Sequence, residues 1–317
     1  MEVVHQLEDL PANRPLHLAI GMFDGVHLGH QAVIRPVIRL ARETAGLAAI
    51  LTFFPHPSAF FRPQSPTPQI FPPSHKERLL RQLGVDYLVV LPFGPDLAST
   101  PAPSFLSFLK TKAPALATVS VGENFQFGAK RLGDLETLRQ SAGPFGIRII
   151  DTPRLACAGQ PISSTRIRSC LAQGQLEEVA ELLGHPYATF GSVITGKQLG
   201  RTIGFPTLNL PWNPEIRPPL GVYAVQVYPE GANRSSPPFP AVANYGLRPT
   251  VEMNSTSPLL EVHLLDPEPP LPSTGDLLRV EWLSYLRPER KFENLAQLQN
   301  QIQRDTQSAR AFFATAL

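Results

Sequence analysis

Over the first half of the chain, short apolar runs alternate with stretches of helical period. Residues 16–20, 48–53, 87–91, 118–121 and 147–150 are strand-length runs rich in Leu, Ile and Val. Between them, residues 28–45, 74–83, 102–110 and 134–140 space their apolar positions for one helical face. Ser74, with Glu77 three residues on, reads as the N-cap of its helix. Strands alternating with helices predict an open parallel α/β sheet, whose ligands bind beyond the carboxyl ends of the strands.

The pattern changes after a helical stretch at 165–183, stopped by Gly184, His185 and Pro186. Val193 and residues 222–227, 241–244, 259–265 and 277–282 read as strands joined by Gly/Pro-rich turns, and 294–312 as a last helix. This predicts a small antiparallel β-barrel with a terminal helix. The expected domains are 1–186 and 187–317, a division that suits 317 residues. Many of the 35 prolines cluster between apolar segments and are expected in ordered loops, since proline cannot donate to a ladder.

Charge narrows the classes. The net charge is +2, so no polybasic surface calls for nucleic acid or a membrane. The longest clearly apolar run, 47–54, is too short to span a bilayer, and the first residues lack a basic-then-apolar leader. Two cysteines, Cys157 and Cys170, make no disulfide framework. The expectation is a cytoplasmic protein.

The first candidate chemistry is the string Gly21-Met22-Phe23-Asp24-Gly25-Val26-His27-Leu28-Gly29-His30, between a strand and a helix. Glycines let backbone approach a phosphate, and a helix N-terminus offers N–H groups to it. His27 and His30, three apart, share a helical face and can stabilise charge developing in phosphoryl transfer. The alternative is a glycine turn with surface histidines. Ser164 and Thr165 at a helix start can cap it or bond a phosphate, and Arg168 can hold one bidentately. Phe125 and Phe127 suit core packing or contact with a flat ring alike.

These strings resemble a known family. Gly21 to His30 is similar to the HxGH nucleotidyltransferase signature, in the form GxFDGxHxGH, of bacterial bifunctional riboflavin kinase/FMN adenylyltransferases (FAD synthetases). Thr52 to Pro57 resembles their TFxPHP loop, Val121 to Gly128 their VGxxFxFG loop, and Ile162 to Arg168 their ISSTxIR motif. The resemblance implies a Rossmann-like first domain that transfers AMP from ATP to FMN. In it Gly21, Phe23, Asp24, Gly25, Gly29, Ser164, Thr165 and Arg168 bind ATP, His27 and His30 are catalytic, and Asn124, Phe125 and His56 meet the flavin. Phe54 and Gln126 depart from the polar and basic residues usual at their places.

The second half carries its own set. Gly191 to Gln198 nearly matches a phosphate-binding P-loop, but Gln198 replaces the required Ser or Thr and no helix is expected to follow. Gly200 to Asn209 resembles the riboflavin kinase signature GRxxGFPTxN. That implies Mg²⁺ at Thr207 and Asn209, and ATP near Gly196, Lys197 and Arg201. Glu261 matches the catalytic glutamate; the alternative is a strand residue facing solvent. The strings 221–225 and 243–250 resemble two further family strings, and 286–292 resembles LRxExKF, which puts Arg287 near the flavin. Proline-rich residues 267–272 stand where the family usually has a Tyr-Gly pair. The implied substrates and products are riboflavin, ATP, FMN and FAD. The rivals are a nucleotidyltransferase for another phosphate acceptor, and a flavin-binding regulator without catalysis.

Overall fold

The computed structural model describes residues 1–196, 199–230, 237–249 and 256–316. The chain divides into two compact units, Met1–Ser164 and Thr165–Leu317.

The first unit runs β1 (Glu2–Val4), β2 (Leu16–Ile20), α1 (Leu28–Glu43), β3 (Leu47–Phe54), α2 (Pro57–Phe61), α3 (Pro73–Leu83), β4 (Tyr87–Pro92), α4 (Pro95–Ser99), α5 (Phe105–Lys112), β5 (Leu116–Gly122), α6 (Leu135–Ala142) and β6 (Arg148–Thr152). The strands form one parallel sheet in the order β1-β4-β3-β2-β5-β6. All five residues of β2 are buried, as the apolar run requires of a strand covered on both faces. Ala19, Ile34, Val37, Ile50, Leu80 and Leu88 pack under α1 and α3. Leu18, Leu51, Phe105, Leu109 and Leu138 pack on the opposite face. Burying each large side chain contributes about 1.5–3 kcal/mol.

Connections place the ligand end. From β2 the chain steps to β3 and β4 on one side, then crosses to β5 and β6 on the other. The crevice of such a sheet opens beyond the carboxyl ends at that reversal, here Ile20 and Gly122. The loops carrying His27 and Asn124 start there.

Local departures have local causes. Ser74 is not an N-cap: Pro72 takes that position and Pro73 opens α3, where the missing N–H costs nothing. The helix expected at 102–110 begins with a 3₁₀ turn, Ala102–Ser104, before α5. Pro36 lies inside α1, and Ser120 Oγ of β5 donates to the Val33 carbonyl at 2.8 Å, one turn before the proline. A hairpin of β7 (Ala156–Cys157) and β8 (Gln160–Pro161) closes the unit.

Next come α7 (Ser164–Gln173) and α8 (Leu176–Leu183), not one helix over 165–183. Gly174, at φ +73°, breaks the run. The second unit continues with β9 (Tyr187–Ser192), α9 (Leu199–Thr202), β10 (Leu208–Pro211), β11 (Gly221–Pro229), β12 (Phe239–Pro249), β13 (Thr256–Leu264), β14 (Leu277–Pro288) and α10 (Leu295–Ala316). Its sheet is antiparallel, in the order β10-β13-β12-β11-β14-β9. The outer edges meet at one bridge, where Ile194 N–H donates to Asn209 C=O at 2.9 Å. Trp282, Tyr187, Tyr223 and Tyr245 are fully buried, while Val222, Ala224 and Val242 form a cluster with Ala309 and Phe313 of α10. A helix does follow the P-loop-like string, against expectation, but α9 is a single turn of four residues. No helix among the described residues is long and apolar enough to cross a membrane.

His17 gives the fold a pH dependence. Buried in β2, its Nδ1 meets Thr118 Oγ1 at 3.0 Å and its Nε2 meets Thr44 Oγ1 at 2.8 Å. Burial pushes its pKa below the ordinary 6.5. The unfolded chain therefore gains this proton at higher pH than the folded chain, and its contribution is lost as pH falls below 6.5. Wild-type protein is expected to lose more stability between pH 8 and pH 5.5 than His17→Gln, read from urea midpoints by circular dichroism. Equal losses would contradict this role.

Candidate active site

The loop after β2 is tightly wound. Phe23, Gly25 and Val26 take φ of +49°, +87° and +45°, and a positive φ at a β-branched residue is strained. Hydrogen bonds hold it: Asp24 Oδ1 accepts from Ile70 N–H at 2.9 Å, the Asp24 carbonyl accepts from Ser164 Oγ at 2.9 Å, the Val26 carbonyl accepts from Gln31 Nε2 at 3.1 Å, and the Met22 carbonyl accepts from Thr52 Oγ1 at 3.2 Å. His27 is the N-cap of α1, its Nδ1 accepting from His30 N–H at 3.2 Å. An Nδ1 that accepts places the proton of a neutral imidazole on Nε2, a donor for an anion. The His30 ring stacks on His27 at 3.6 Å between centroids, and Phe23 meets its edge at 5.4 Å. A Cβ at Gly29 would lie 3.1 Å from His27 Cε1, so the glycine makes room for the stacked ring.

At the ends of neighbouring strands, His56 caps α2, its Nδ1 accepting from Ser58 N–H at 3.1 Å. Asn124 is exposed beyond β5; Phe125 is half-buried and stacks on Phe127 at 5.4 Å, and Phe127 belongs to the core. Lys76 was not anticipated. Its Nζ lies 3.4 Å from the Met22 carbonyl and 3.5 Å from Thr52 Oγ1. Burial pushes its pKa down, against the pull of the Asp24 and Glu77 carboxylates.

In the second unit a cavity of about 300 Å³ opens on the sheet. Asn209 pairs with Glu261, Glu261 with Asn244, Asn244 with Val222, and Val222 with Arg287. Directly paired residues share a face, so these five form one row across five strands, and all line the cavity together with Thr207. Asn209 Oδ1 is buried without a hydrogen-bond partner among the described residues. A buried orphan acceptor costs about 1–3 kcal/mol, which a cation would offset. Amide and hydroxyl oxygens are the hard donors that Mg²⁺ takes, so Asn209 and Thr207 fit it. Gly196 and Gly200 keep the wall thin: a Cβ at Gly196 would overlap the Asn209 amide, and one at Gly200 would strike the Phe205 carbonyl.

Two family models divide the chain along the same line. The model for FAD synthetase matches residues 9–166 and that for riboflavin kinase residues 183–313. The bifunctional riboflavin kinase/FMN adenylyltransferase of Escherichia coli K12 is 37% identical over 310 residues, covering 98% of this chain and 96% of its own. The chain belongs to the bifunctional riboflavin kinase/FMN adenylyltransferase family. Other members are the Haemophilus influenzae protein, 37% identical with 99% of both chains covered, and that of Bacillus subtilis, 36% identical with 94% of this chain and 92% of its own covered. A solved chain described as a macrolide-efflux protein from Streptococcus pneumoniae superposes with TM-score 0.82 at 29% identity, covering 97% of this chain and 98% of its own.

In this member of the bifunctional riboflavin kinase/FMN adenylyltransferase family, most motif residues fall into two groups. Gly21, Phe23, Asp24, Gly25, His27, Gly29, His30 and Ser164 belong to one loop-and-cap cluster. Thr165, exposed, and Arg168, half-buried, lie along α7 in the second unit. Thr207, Asn209 and Glu261 line one cavity, and Glu261 faces that cavity as a half-buried residue. Arg287 also lines it, with Nε and Nη2 on Asp305 at 2.7 and 2.6 Å and Nη1 on the Pro288 carbonyl at 2.8 Å. Lys197 lies outside the described residues; Arg201 lies in α9, and its side chain is likewise outside them. Asn244 had no assigned role, because only strand register brings it beside Glu261.

The cap on α1 fixes a tautomer. Nitrogen spectra of ¹⁵N-histidine-labelled protein at pH 8 should show His27 with its proton on Nε2, and Gly29→Ala should disturb that resonance by crowding the ring. A proton on Nδ1 in the wild type would contradict the cap.

Proposed function

We propose that two domains act separately, one making FMN from riboflavin and the other making FAD from FMN, each consuming ATP. What supports this is the pair of unlike sites: a histidine-bearing phosphate cradle at the reversal of a parallel sheet, and a carboxylate between two amides in a barrel cavity. Each lies within a different family match. We assign 1–186 to adenylyl transfer and 187–317 to the kinase, a boundary that keeps α7 whole with Ser164.

In the adenylyltransferase, an FMN phosphate oxygen attacks the α-phosphorus of ATP and pyrophosphate leaves. No protein nucleophile is required; positioning and charge stabilisation suffice. His27 and His30 donate to phosphate oxygens as charge develops. Gly21, Phe23, Asp24, Gly25 and Gly29 shape the cradle, and Ser164, Thr165 and Arg168 hold the nucleotide. Lys76 adds positive charge beneath the loop. Asn124, Phe125 and His56 border the flavin.

In the kinase, the riboflavin 5′-hydroxyl attacks the γ-phosphorus. Glu261 orients that hydroxyl and accepts its proton. Thr207 and Asn209 would hold Mg²⁺, which when bound neutralises phosphate charge. Gly196, Lys197 and Arg201 border ATP. Arg287 borders the flavin, anchored through Asp305. We place the protein in the cytoplasm, where its substrates are available, with no nucleic-acid or membrane partner.

The test is chromatography of products from purified full-length protein with ATP and Mg²⁺. The His27→Ala/His30→Ala variant should lose FAD formation by at least about 100-fold while still converting riboflavin to FMN. Glu261→Gln should do the reverse, failing on riboflavin while converting supplied FMN to FAD. Equal loss of both activities in either variant would overturn separate sites.

A further inference from the structure

The cavity row changes chemistry one strand at a time. Asn209 carries the orphan acceptor. Next comes Glu261, then Asn244, then the apolar Val222. Adjacent strands lie about 4.8 Å apart, so Asn244 stands one step beyond Glu261, on the side away from Asn209. Its amide has no hydrogen-bond partner among the described residues, although Asn244 lines the cavity and is only half-buried. A carboxamide offers both donor and acceptor, matching a hydroxyl, which is also both. Its backbone is fixed by pairing on both sides, to Glu261 and to Val222. A Cβ at Gly246, two residues along the strand, would overlap the Glu289 carboxylate and lie 3.2 Å from Asn244 Nδ2, so a larger residue there would crowd both side chains.

We propose that Asn244 reads the polyhydroxylated side chain of the kinase substrate, bonding a hydroxyl one or two carbons from the one that is phosphorylated. This rests on Glu261 as the residue at the reacting hydroxyl. The row then works as a ruler: Asn209 at the phosphate end, Glu261 at the attacking oxygen, Asn244 at a chain hydroxyl, and Val222 where the substrate turns apolar. Asn244 selects flavins bearing a polyol over flavins bearing a plain alcohol, because a substrate lacking the hydroxyl leaves the amide unpaired against it.

The test compares riboflavin with a flavin whose N10 side chain is 5-hydroxypentyl, which keeps the ring and terminal alcohol but lacks the inner hydroxyls. Full-length wild type, Asn244→Ala and Glu261→Gln are assayed for phosphorylation of both, with thermal melts by circular dichroism as a check on folding of the kinase unit. Asn244→Ala should lower kcat/KM for riboflavin about tenfold or more and leave that for the hydroxypentyl flavin within about twofold, so the preference for riboflavin collapses. An equal loss on both substrates, or none on either, would overturn the proposal. Should Asn244→Ala fail to fold, Asn244→Leu, of similar size and without either polar atom, replaces it under the same criterion. Glu261→Gln retaining riboflavin phosphorylation would sink the Glu261 assignment instead, a result distinct from any Asn244 outcome.

Discussion

Backbone register is the constraint on which both sites depend. A one-residue slip of β13 against β10 would turn Glu261 to the opposite face of the sheet, because side chains alternate with a period of two. The carboxylate would leave the cavity, and its neighbours Asn209 and Asn244 would lose it together. In the parallel sheet, pairing of β2 with β3 and β5 fixes where the strands end, and hence where the loops bearing His27, His56 and Asn124 begin. Chemistry is grafted onto ladders that buried Val, Leu and Ile hold in place.

The two proposed sites differ in how they would meet the charge of a phosphate. The first uses helix starts: His27 and His56 each cap a helix through Nδ1. Each imidazole is thereby oriented by backbone. The second presents oxygen atoms on strands, an arrangement suited to a hard cation and a proton acceptor. Glycine at 29 and at 196 serves one purpose in both places, since a Cβ at either would displace the working side chain beside it.

Much of this is legible in the sequence, and the gaps have physical reasons. Buried strands announce themselves as continuous apolar runs, so five of the six strands of the first sheet are readable. β1 is not, because three residues hold no period and its place comes from pairing with Tyr87, Leu88 and Val89. The break at Gly174 is hidden because apolar spacing continues through it. The glycine-histidine loop is readable since its residues are consecutive. Lys76 and Asn244 are not: one is brought under the loop by packing of α3, the other beside Glu261 by strand pairing. Arg287 shows the opposite limit. Its motif points to flavin, whereas the fold also gives its guanidinium an acidic partner in Asp305, which no local string contains.

The proposed chemistry requires one chain to hold two independent nucleotide sites. Equilibrium titration of the full-length protein with a non-hydrolysable ATP analogue and Mg²⁺ addresses it directly, by counting bound nucleotide per chain. Two equivalents at saturation are predicted; a plateau at one would contradict the claim.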